Sequence, residues 1–196
     1  LIPSLHQNKI LMEAEVKLLE SETFSRLLKQ AAETGEADNI QTIWQSMPEH
    51  IQTVQGIETI YYAAMIEVDA GNKIEDDIVQ SILKRWDETL LVLYANIKTE
   101  DYSKQLQIAE QWLSVHSGSA VLLRILGKIS VKCQQMEKSE QYLTKSVAID
   151  PTVAGYQLLG DVLMEKGDKD KASESYRKGL ELASSEVVNR VEGISG

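Results

Sequence analysis

A chain of 196 residues with 43% hydrophobic positions is long enough for one continuous core or one stack of repeats. Three prolines, one phenylalanine and an abundance of Leu, Ala, Glu, Gln and Lys favour helix over sheet, so an all-α class is expected. A formal charge of −10 excludes the basic field that binding to a phosphate backbone requires, and no nucleic acid partner is expected.

In chain order, residues 1–20 carry Ile10, Leu11, Val16, Leu18 and Leu19 and read as an N-terminal helix packed on the first hairpin. Five helix-turn-helix units are then expected over 21–183, at about 21–50, 55–86, 87–118, 120–151 and 153–183. In the first, Phe24, Leu27, Leu28 and Ala31 precede Gly35, and Ile40 and Trp44 lead to Pro48. The second sets Ile60, Ala63 and Ala64 before Gly71, then Ile74, Ile78 and Ile82 at i, i+4 and i+8. The third has Leu90, Leu93 and Tyr94, a loop from Lys98 to Asp101, then Leu106, Ala109 and Leu113. Residues 184–196 are expected to form a short serine-capped helix with Val187, Val188 and Val191, covering the last hairpin's edge, and a tail.

The last two complete units are related by an offset of 33 residues. This aligns Leu123, Leu126, Gly127, Gln134, Ser139 and Leu143 with Tyr156, Leu159, Gly160, Gly167, Ala172 and Tyr176. Small residues fall where two helices must cross closely, and Gly167 falls where the first helix must stop in a left-handed cap. The segment GYQLLGDVLMEKGDKDKASESYRKGLEL resembles the tetratricopeptide repeat through Tyr156, Leu159, Gly160, Gly167, Ala172, Tyr176 and Leu180. The fold expected from this resemblance is a helix-hairpin superhelix, an α-solenoid.

No arrangement of residues suggests catalysis or metal binding. His6, His50 and His116 lie in different units, and there is no H-E-x-x-H, no Cys-x-x-Cys and no phosphate-cradling glycine loop. The lone Cys133 cannot form an intramolecular disulfide, is followed by Gln134, and reads as a packed or half-exposed thiol. The chain is therefore expected not to be an enzyme, and to need no cofactor, with haem kept open as a bound ligand.

One feature runs against the acidity. Arg124, Lys128 and Lys132 lie at i, i+4 and i+8 on one face of a helix. In the repeat it resembles, the first helices line a groove, into which the second, fifth, ninth and twelfth positions point. Counted this way, Arg124 and Lys128 are groove residues, as are Tyr61 and Met65 of the second unit and Gln157 and Asp161 of the last. The basic pair then meets an anionic group, such as a peptide carboxylate, an acidic helix or a porphyrin propionate. The alternative is a solvated stripe balanced by neighbouring acids. A carboxylate clamp for a chaperone tail needs groove asparagines, where this chain has Lys128 and Asp161.

The order of segments across nearly the whole chain resembles the C-terminal repeat region of the bacterial HemY family, associated with protohaem IX biosynthesis. LIPSLHQNKILMEAEVKLLE is similar to a helix that precedes that family's repeats, through Pro3 and Leu5. IWQSMPEHIQ is similar through Trp44 and Pro48, and WDETLLVLYANIKTEDYSKQLQIAEQWL resembles the stretch leading into the final repeats. This resemblance implies a protein-binding scaffold in late haem synthesis, with partners such as ferrochelatase. It also implies an inner-membrane protein whose repeat region faces the cytoplasm, anchored through a segment outside this chain. The alternatives are a haem or porphyrin carrier and an assembly factor of another envelope pathway.

Overall fold

The computed structural model describes residues 2–191 and 193, with side chains from residue 13 onward. It is all-α and divides into two compact units, Leu1–Lys98 and Thr99–Gly196.

The first unit contains α1 (Ile2–Thr34), α2 (Ala37–Ser46), α3 (Glu49–Gln52), α4 (Ile57–Glu67), a 3-10 turn (Gly71–Ile74), α5 (Glu75–Lys84) and α6 (Glu88–Tyr94). Helix α1 stops at Gly35, whose φ of 76° only glycine adopts without penalty, and α2 folds back against it. Helix α4 packs on both, with Tyr61 stacked on Trp44 at 4.4 Å between ring centroids. Two expectations are corrected here. The boundary at residue 20 disappears because α1 is continuous: nothing from Ser4 to Thr34 breaks a helix, and the Ser21 and Thr23 hydroxyls donate back to the Lys17 and Leu19 carbonyls. Val16, Leu18 and Leu19 are exposed, not packed, while the side chains of Ile10 and Leu11 lie outside the described residues. Gly71 falls between α4 and α5, as the second unit's spacing places it, but the left-handed residue of that turn lies two positions earlier. Asp69 takes that role at φ 59°, and Gly71 is buried, with an added Cβ 3.3 Å from Ile66 and Ile97.

The second unit contains α7 (Tyr102–Gln111), α8 (Leu113–His116), α9 (Ala120–Lys132), α10 (Met136–Ile149), α11 (Val153–Glu165) and α12 (Lys169–Val191). The expected hairpin at 87–118 is therefore split. Leu90, Leu91 and Tyr94 of α6 are buried in the first unit against α4 and α5, whereas α7 packs on α9.

Helices α9 and α10 form one hairpin, α11 and α12 another, and α10 packs on α11. The close crossings fall at the aligned glycines: a Cβ on Gly127 would lie 2.5 Å from Leu143 Cγ, and one on Gly160 2.4 Å from the Tyr176 ring. Buried serines tie second helices to first ones, with Ser139 Oγ donating to the Gly127 carbonyl and Ser146 Oγ to that of Ala120, each at 2.8 Å. The left-handed caps are Gln134 at φ 59° and Gly167 at φ 82°, which are aligned positions. Helix α12 continues through 184 because Ser185 Oγ bonds back to the Leu182 carbonyl and does not start a new helix. Val187, Val188 and Val191 are accordingly exposed on its last turns, and residues 192 and 194–196 of the expected tail lie outside the described residues.

Candidate partner-binding site

Helix α9 begins at Ser119, whose hydroxyl accepts the Leu122 amide. Its sequence AVLLRILGKISVK buries Leu122, Leu123, Leu126 and Ile129 and leaves Arg124, Lys128 and Lys132 half-buried along another face. Arg124 is tethered at the start of the next hairpin, where its Nη1 donates to Thr152 Oγ1 at 3.3 Å; that same oxygen caps α11 by accepting the Gly155 amide. Lys132 Nζ sits 4.7 Å above the centre of the Tyr102 ring.

Lys128 lies between them. Burial, and secondarily the Lys132 charge, hold its ammonium below the usual lysine range. The opposite charge of an incoming carboxylate would offset both effects.

Of the residues expected in the groove, Arg124, Lys128, Gln157 and Asp161 belong to the second unit, and all retain accessible surface. Asp161 is exposed on α11 and accepts the Tyr176 hydroxyl at 2.7 Å. Gln157 borders a shallow groove of about 190 Å³ with Val153, Tyr176, Gly179, Leu180 and Ala183. Tyr61 and Met65 are corrections: both are core residues of the first unit, Tyr61 stacked on Trp44 and Met65 inaccessible. Among the residues of α4 that keep accessible surface, Ile60, Ala63 and Glu67 share a groove of about 380 Å³ with Lys29 and Glu33 of α1. Sequence could not reveal this rotation, because IETIYYAAMIE is apolar on almost every side and its periodicity marks no face.

A larger cleft, about 650 Å³, is lined by α10, α11 and α12, with Val147, Leu159 and Leu163 among its apolar residues. Its rim has both signs of charge, and Glu140 there is already paired with Lys166 at 2.6 Å. Among the described residues no three His, Cys, Asp or Glu side chains gather to hold a metal ion. Burial raises the Cys133 thiol's pKa, opposed in part by a hydrogen bond with Ser103, and this disfavours the thiolate that iron ligation needs.

Comparison with known proteins places tetratricopeptide repeats at residues 125–153 and 153–186. Over 182 residues, 93% of this chain, it is 19% identical to Protein HemY of Escherichia coli, of which it spans 46%. Over 88 residues, 45% of this chain, it is 30% identical to the TPR repeat-containing protein MJ1428 of Methanocaldococcus jannaschii, of which that match covers 16%. A thermophilic TPR protein of Thermus thermophilus superposes with a TM-score of 0.62 at 16% identity, covering 88% of this chain and 96% of the other. The chain thus carries tetratricopeptide repeats and has an all-α tetratricopeptide fold. No described helix is long and apolar enough to cross a membrane.

Proposed function

We propose that the chain is a protein-binding repeat region whose α9 face receives an anionic segment of a partner protein. The observation that supports this is the half-buried cation row of Arg124, Lys128 and Lys132 in a chain of net charge −10, with Lys128 both desolvated and repelled by its neighbour. An acidic ligand would add to the contacts these cations already make, because a charge-assisted pair there forms where water is partly excluded. Gln157 and Asp161, at positions aligned with Arg124 and Lys128, extend the surface onto α11 and select against uniformly acidic ligands. The reading assigns no reaction to the chain.

The similarity to HemY across 93% of the chain supports a finer version of this reading. In it the region belongs to an inner-membrane protein with its repeats in the cytoplasm, and it gathers enzymes of late haem synthesis, ferrochelatase first among them.

Immobilised chain is expected to retain purified ferrochelatase, and Arg124→Glu with Lys128→Glu to weaken retention at least tenfold with helicity unchanged. Retention that survives the charge reversal refutes the α9 face as the contact. Absence of retention with the natural chain refutes the enzyme as partner, and acidic peptides then test the face by itself.

A further inference from the structure

The 33-residue register shows what normally covers the outer face of a second helix in this chain. On α10, Leu143 and Val147 are 0% and 8% exposed: Leu143 also packs over Gly127 of α9, and both share one apolar cluster with Leu159, Val162 and Leu163 of α11, which comes closest to Val147 at Gly155. Their aligned residues on α12, Tyr176 and Leu180, are 37% and 73% exposed. Below Leu180 the stripe continues through Ala183, Val187 and Val191, and at 100° per residue these five side chains fall within an arc of about 80°. The same face also carries a hollow, the groove between Val153 and Gln157 of α11 and Gly179 and Ala183 of α12. One surface thus holds both an uncovered groove and a projecting apolar helix end.

We infer that this face binds a second copy of the chain, with the two α12 helices crossing antiparallel beside Ala183 about a two-fold axis. That crossing sets Leu180 against the partner's Val187 and Tyr176 against the partner's Val191, so each projecting end fills the other's groove. A two-fold contact requires such a self-complementary patch, and a ridge and hollow on one face supply it.

The charges agree with this occupant. The exposed carboxylate of Asp161 sits beside Tyr176 at one end of the stripe, and exposed Arg190 lies at the other. Antiparallel crossing brings each Arg190 to the partner's Asp161, forming two equivalent pairs at the rim. An unrelated helix would have to bring its own cation to that place; the chain already carries it.

Light scattering on the 196-residue chain tests the proposal. The expected mass is twice 21.9 kDa, falling to 21.9 kDa for Leu180→Glu with Val187→Glu while circular dichroism stays unchanged. Both altered side chains are exposed, so neither change touches the core. Asp161→Arg and Arg190→Asp should each shift the equilibrium towards monomer, and together restore the dimer. A natural chain that stays at 21.9 kDa overturns the proposal. A dimer that persists in the glutamate variant, or a charge swap that restores nothing, overturns it as well.

Discussion

Replacing Gly127 with alanine sets two sizeable effects against each other. Helix propensity alone favours alanine by about 1 kcal/mol, since Gly127 lies inside α9 with no left-handed backbone to protect. Against this, the new Cβ would lie 2.5 Å from Leu143 Cγ and 2.7 Å from its Cδ2, where carbons settle at roughly 3.5–4.0 Å. Leu143 has no room to retreat, being fully buried, and the Ser139 hydrogen bond to the Gly127 carbonyl pins the helices at that separation. Overpacking of this kind costs about 1–3 kcal/mol; with Leu143 pinned the upper part of that range, about 2–3 kcal/mol, applies, so after the propensity gain a net loss of roughly 1–2 kcal/mol is expected, read from urea unfolding followed by far-ultraviolet circular dichroism. Gly160→Ala is the internal control. Its Cβ meets the Tyr176 ring at 2.4 Å, but in the Leu180→Glu, Val187→Glu background, where no second copy covers it, that ring is partly exposed and can swing outward, giving up one hydrogen bond to Asp161 worth about 1 kcal/mol. The net effect there should lie near zero. A Gly127→Ala variant stabilised by about 1 kcal/mol, or equal losses at both glycines, would show that the close crossing does not constrain the helices as described.

Gln134→Gly should raise stability by about 0.5–1 kcal/mol, because Gln134 holds the left-handed conformation that its aligned Gly167 adopts without strain; an unchanged denaturation midpoint would contradict this. Lys128→Met should leave the fold at least as stable, while weakening capture of acidic peptides. The sign comes from linkage: the folded chain holds the Lys128 proton less tightly than the unfolded one. Its contribution therefore opposes folding fully at neutral pH, and this opposition fades as pH rises through the lowered folded pKa. Losing more than about 1 kcal/mol on this substitution would show the ammonium to be a structural contact. Haemin titration should give no saturable Soret shift, since Met65 is sealed in the core, the Cys133 thiol is held protonated by burial, and His50 contacts Glu20 at 3.0 Å; a stoichiometric shift would reinstate the carrier reading.

The second unit was legible because its two hairpins repeat. Once Leu126-Gly127 is aligned with Leu159-Gly160, the close crossings, the caps and the outward row of α9 emerge from spacing, since a small residue at a fixed helical position permits only one approach. Polar residues interrupt α9 at Arg124 and Lys128, so its faces can be told apart. Helix α4 lacks that contrast, and the same count from its start pointed at Tyr61 and Met65, which are core residues.

Amino-acid order was enough to set the helical class, the 33-residue register and the basic row, because each depends on contacts within a few turns of one helix or between adjoining ones. Long-range packing settled where α6 and α7 part company, that α1 and α12 run on past their hairpins, and which side of α4 meets solvent. Those outcomes depend on how much apolar surface each neighbour has left to cover, a competition among segments distant in the chain that local pattern does not encode.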